Sequence, residues 1–173
     1  MSRQVALLRG INVGGKHKVP MKDLAALFEA AGFTDVKTYI QSGNVVFFGP
    51  SGQADALAAR IEERFGFPVP IVLRTAADLA RIVRDSPFED REDAALHVMF
   101  LAGDPDPKGV AGLDPNRSAP DVFAVIGREI YLSLPNGVGR SKLTNAWFDS
   151  RLKTVSTTRN WRTVLTLLDL ASK

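Results

Sequence analysis

The chain contains no cysteine, so disulfides and thiolate chemistry are excluded. Histidine is nearly as scarce. His17 and His97 stand far apart and show no metal-ligand spacing. No apolar run is long enough to cross a bilayer. The N-terminus passes almost directly into a strand-like run, without a cleavage-site pattern. Acidic residues are missing from the start: Asp23 is the first, after Arg3, Arg9, Lys16, Lys18 and Lys22. These absences predict a soluble cytoplasmic protein with no membrane partner, and nothing among the residues asks for a metal or a cofactor.

What is present has an ordinary globular balance, with 45% hydrophobic and 24% charged residues. A chain of 173 residues buries about 70% of its unfolded surface and needs no covalent staple. The length suits one large domain or two small units. The formal charge of +3 is unevenly placed. Residues 1–74 hold 9 basic and 6 acidic groups, residues 75–121 hold 5 and 10, and residues 122–173 hold 8 and 3. Basic ends around an acidic middle fit either an anionic ligand or pairing across the folded molecule.

Hydrophobic patterning predicts β-α-β-β-α-β over residues 1–74. "VALLRG" (5–10) reads as a buried strand. Pro20 opens a helix through Met21, Leu24, Phe28 and Ala31, which Gly32 stops. "VKTYI" (36–40) and "NVVFFG" (44–49) form a hairpin around "QSG". Leu57, Ile61 and Phe65 mark a second helix, and "VPIVLR" (69–74) a fourth strand. This is the ferredoxin-like split unit.

Residues 75–173 predict a second, irregular unit of the same α+β class. It has a linking helix near 76–85, a strand at 96–101, a hairpin around Gly127–Arg128, and C-terminal helices near 141–150 and 160–171. A helix stands where its last strand is expected. In the first unit, strand order 4-1-3-2 brings the loop after the first strand and the "QSGN" turn to one rim. "VALL" and "VVFF" are apolar at every position, so both faces of the central strands are expected to be covered.

The rim loop "LLRGINVGGKHKVP" (7–20) imitates a phosphate loop. Gly10, Gly15 and Lys16 have its spacing, but His17 replaces the hydroxyl that would hold Mg²⁺. Val19-Pro20 also delays the helix whose N-terminus would face the phosphates. A nucleoside triphosphatase is therefore disfavoured. Arg9, Asn12, the amides of Gly14 and Gly15, Lys16 and Lys18 are left as a candidate anion site. The alternative is a surface loop with Gly for turning and Lys for solubility.

Two further stretches pass the same test in part. "LPNGVGRSKL" (134–143) places Arg140, Ser141 and Lys142 before a helix, for phosphate binding or with Ser141 as an N-cap. "TTRNWRTV" (157–164) offers Thr158, Arg159, Asn160 and Trp161 for holding a phosphate and stacking a base. There the alternative is helix capping with Trp161 as a core anchor. Ser150 and Lys153 match S-x-x-K at chance level. His97 reads as a satisfied core histidine. RNA recognition on the sheet face lacks its exposed aromatics, because Phe47 and Phe48 read as core.

Together, "LLRGINVGGKHKVPMKDL" (7–24), "TYIQSGNVVF" (38–47), "LPNGVGRSKLTN" (134–145) and "TTRNWRTV" (157–164) resemble the bacterial DUF1697 family of unknown function. The resemblance implies two ferredoxin-like units and a cytoplasmic protein, and no activity or catalytic residue. The sequence thus points to a site for a phosphate-bearing ligand, nucleotide or nucleic acid. Arg9 and Lys16 are its charge partners, Asn12 and Asn44 its orienting groups, and Gly14, Gly15 and Gly43 allow close backbone approach. Ser42 lies in the same turn, and "TTRNW" is expected to close over it. The alternatives are a metal-independent enzyme on a small acidic substrate, for which no nucleophile or base is evident, and motifs that are purely structural.

Overall fold

The computed structural model describes residues 1–173. The chain divides into two compact units, Met1–Ala80 with Leu167–Lys173, and Arg81–Thr166. No helix is long and apolar enough to cross a membrane.

The first unit runs β1 (Ser2–Leu8), α1 (Met21–Ala30), β2 (Thr34–Tyr39), β3 (Asn44–Gly49), α2 (Ala54–Phe65), β4 (Ile71–Thr75) and into α3 (Ala76–Arg84). Its sheet has the order β2-β3-β1-β4 with every neighbouring pair antiparallel. Pro20, at φ −62°, enters α1 with its backbone already set. α2 closes at Gly66, whose N–H returns to the Glu62 carbonyl at 2.8 Å. The apolar stripes of the two helices, Leu24 and Phe28 on α1 and Leu57 and Ile61 on α2, join Ala6, Leu8, Val45 and Phe47 of the sheet in one core. Gln4 is the polar member of that face, and its Nε2 donates to the carbonyls of Gly49 (3.0 Å) and Pro50 (3.1 Å). On the opposite face Val5, Leu7 and Val46 are also fully buried, as expected for central strands apolar at every position.

The second unit contains β5 (Leu96–Leu101), α4 (Pro107–Ala111), β6 (Val122–Ile126), β7 (Glu129–Ser133), α5 (Asn145–Leu152), β8 (Ser156–Asn160) and the start of α6 (Trp161–Ala171). Short 3-10 turns occupy Asp93–Ala95 and Val138–Arg140. The sheet order β6-β7-β5-β8 repeats the arrangement of the first sheet, so both units are ferredoxin-like. The strand that sequence patterning does not place is β8, read from the sequence as the start of a helix. It pairs with β5 in the register His97↔Asn160 to Leu101↔Ser156. Asp106 caps α4 by accepting from Gly109 N at 3.1 Å. α5 begins four residues later than expected, and its cap is Thr144, which accepts from Trp147 N at 3.2 Å. Phe123, Trp147 and Phe148 form edge-to-face contacts over the second core.

Candidate functional site

The opening loop is a β-hairpin. Lys16 N donates to the Val13 carbonyl at 3.0 Å and Asn12 N to the His17 carbonyl at 3.0 Å. Gly14 (φ 60°) and Gly15 (φ 74°) sit at its tip. Positive φ at both central positions is the requirement of a type I′ turn, which pairs such as Asn-Gly, Asp-Gly and Gly-Gly meet at little cost. The same dihedrals turn the two glycines into a hairpin tip rather than a phosphate-cradling loop that enters a helix. A Cβ built on Gly10, Gly14 or Gly15 meets nothing within 4 Å, so the tip stands in open space.

Asn12 ties the hairpin to the rest of the rim. Its Nδ2 donates to the carbonyls of Val19 (3.0 Å) and Gln41 (2.8 Å), and its Oδ1 accepts from Val19 N at 2.8 Å. Loop and "QSGN" turn therefore meet, as the strand order predicts. Leu8 N also donates to the Gly43 carbonyl at 2.9 Å. Asn44 is fully buried, and its Nδ2 donates to the Tyr39 carbonyl (3.0 Å) and to Ser42 Oγ (3.2 Å). Both asparagines expected to orient a ligand thus hold backbone in place. Arg9 is half-buried, while Lys16, Lys18 and Ser42 are exposed. His17 is exposed too and lies flat on Phe67, with ring centroids 4.4 Å apart and planes 14° from parallel. Phe67 is a residue that no motif pointed to.

The remaining candidates lie in the second unit. Thr158 and Arg159 are on β8 rather than at a helix start. Arg159 is buried, with Nη1 donating to Thr157 Oγ1 and to the Thr158 carbonyl, both at 2.9 Å. Burial lowers its guanidinium to about 10, so it stays charged at neutral pH. Asn160 caps α6 by accepting from Thr163 N at 2.8 Å, and Trp161 is buried beside it. Asn145 Nδ2 donates to Ser156 Oγ (2.8 Å) and Thr158 Oγ1 (3.1 Å), which joins "RSKLTN" to "TTRNW". Ser141 Oγ accepts from Leu143 N at 3.0 Å, a local turn, and Lys142 is exposed. No three His, Asp or Glu side chains group as metal ligands.

His97 lines a separate cavity with Asn160 and Arg162. Burial lowers its imidazole below the ordinary 6.5, opposed by the 3.3 Å contact of Nδ1 with the Ala95 carbonyl. A folded value below the unfolded one gives stability that is full above pH 6.5 and is lost as pH falls through the folded value. His97 is expected to titrate below 6.5 by NMR, and His97→Gln to flatten the stability loss between pH 7 and 5. A midpoint above 6.5 would contradict this.

The family model described as "Protein of unknown function (DUF1697)" matches residues 1–131, which hold the hairpin and the "QSGN" turn. In structure the chain is similar to a conserved bacterial protein, SP0830 of Streptococcus pneumoniae, with a TM-score of 0.72 and 24% identity. That likeness covers 100% of this chain and 99% of the other, and it is a likeness of fold. Comparison with curated proteins finds no match.

Proposed function

The chain belongs to the DUF1697 family, and from that premise we propose that it binds the phosphate backbone of a single-stranded nucleic acid through the hairpin of residues 12–17 and the adjoining "QSGN" turn. The observation that carries this reading is the exposed hairpin, which presents Lys16, His17 and Lys18 next to Arg9 in a stretch without a carboxylate before Asp23. A small nucleotide is ordinarily enclosed over most of its surface. The hairpin tip, with nothing within 4 Å of its glycines, offers no such walls. A polyanion needs only a row of exposed cations. His17 has one face on Phe67 and is otherwise exposed, which leaves a flat ring on which a base can stack. The sheet itself supplies no platform, because the central strands bury both faces.

Fluorescence anisotropy with labelled RNA and DNA oligonucleotides and with mononucleotides tests the reading. Oligonucleotides are expected to bind the wild type with a clear salt dependence. The Lys16→Ala/Lys18→Ala variant is expected to lose about tenfold in affinity and to lower the salt slope by about 1 for each lysine. Equal binding by the two proteins would sink the reading, as would mononucleotides binding as tightly as oligonucleotides.

A further inference from the structure

The second unit carries a cationic pocket that the hairpin does not share. It has a volume of about 280 Å³, and Arg117, Arg140 and Lys142 line it against a single carboxylate, Asp121. That carboxylate is 5% exposed and accepts from Ser118 Oγ at 2.7 Å, so it is turned into the protein. Ser118 Oγ in turn accepts from Lys142 N at 2.9 Å, which joins the loop before β6 to the Gly-rich loop before α5. Arg117 closes the same junction: its Nε donates to the Lys142 carbonyl at 3.0 Å. Its Cζ lies 4.7 Å from the Trp147 ring centroid.

Arg117 is therefore held on two sides before any ligand arrives, and its Nη donors remain for one. A guanidinium held in this way is suited to bidentate contact with a phosphate or carboxylate. Because its orientation is preset, less rotamer entropy is lost on binding. Arg140 and Lys142 add charge from the facing loop, and Asn116 and Asn136 add amides. The amides suit a hydroxylated body attached to the anion. The volume exceeds what one phosphate needs and suits a small sugar phosphate.

We propose that this pocket binds a phosphate monoester carried on a small polyhydroxylated body. Arg117 and Arg140 grip the phosphoryl oxygens, Lys142 supplies further charge, and the two asparagines face the hydroxyls. The proposal is independent of nucleic-acid binding by the hairpin.

Titration of inorganic phosphate, ribose 5-phosphate and ribose, followed by ¹⁵N–¹H NMR, tests it. Ribose 5-phosphate is expected to shift the amides of residues 116–121 and 140–142 and the Trp147 indole. It is expected to bind more tightly than phosphate, while ribose gives no shift. Arg117→Gln and Arg140→Ala are each expected to weaken binding about tenfold. Arg140 is exposed and has no structural bond to lose, so its variant reads binding without a folding penalty. Arg151→Ala, which removes the guanidinium 4.9 Å from the Trp147 ring but outside the pocket lining, and Lys16→Ala/Lys18→Ala are expected to bind like wild type. No shifts with ribose 5-phosphate, or wild-type affinity in Arg140→Ala, would overturn the proposal.

Discussion

Gly43→Ala is expected to destabilise the first unit by about 4 kcal/mol, from two costs that add. The first is conformational: Gly43 has φ +94°, where an L side chain is strained by about 1–3 kcal/mol. The second is steric. The new Cβ would stand 2.8 Å from Ile11 Cδ1 and 2.9 Å from Leu8 Cβ. Ile11 can rotate, but Leu8 Cβ is fixed by the β1 backbone, whose N–H is bonded to the Gly43 carbonyl. Overpacking of this kind adds about 1–3 kcal/mol. Both tryptophans, Trp147 and Trp161, lie in the second unit, so their fluorescence does not report this change directly. Amide exchange of β1 and β3 reads it instead. Gly14→Asn is the contrasting variant. Its site is open, and Asn-Gly suits a type I′ turn, so a loss below about 1 kcal/mol is expected. Equal losses at the two positions would refute the steric argument.

Phe47→Ala is expected to cost the same unit about 3–5 kcal/mol, the range for emptying a buried aromatic site. Phe47 is fully buried and touches two rings, Phe28 at 5.2 Å and Phe33 at 4.8 Å between centroids. The backbone at Gly49 is packed against the same cluster, since a Cβ there would lie 2.2 Å from Phe33 Cδ1. With Phe33 wedged in this way, the cavity left by Phe47 has little freedom to collapse. Phe47→Leu, which keeps most of the volume, is expected to cost less than about 1.5 kcal/mol. Phe48 is only half-buried, so Phe48→Ala should cost well under half as much as Phe47→Ala. If the two alanine variants lose equal stability, the cluster is not what holds the sheet to its helices.

Legibility differs between particular elements. α1 and α2 could be read because their apolar residues repeat at helical spacing and Pro20, Gly32 and Gly66 mark their ends. β8 could not. "STTRN" shows no apolar alternation, yet it is a strand with Ser156, Thr157 and Arg159 buried. Its polar side chains are tolerated because partners meet them: Ser156 Oγ donates to Asp149 Oδ1 at 2.5 Å, and Thr158 bonds Asn145. Such partners come from another element and leave no local signal. The rim followed the same division. Strand order alone brought the opening loop beside "QSGN". The roles of Asn12 and Asn44 needed coordinates, since an amide that binds a ligand and one that clamps a turn are the same letter in sequence.

The sequence by itself determined the two α+β units, the first sheet's order and the basic character of the rim, because periodicity, turn residues and charge are local properties of the chain. Only the tertiary structure decided three things. Gly14-Gly15 is a hairpin tip rather than a phosphate loop, Asn12 is a clamp, and Arg117 joins Arg140 and Lys142 in one pocket. The hairpin tip rests on the positive φ of its two glycines and on bonds within the loop. The clamp of Asn12 on Gln41 and the tie of Arg117 to Lys142 are instead hydrogen bonds between residues distant along the chain, which exist only once the strands have set which loops are neighbours.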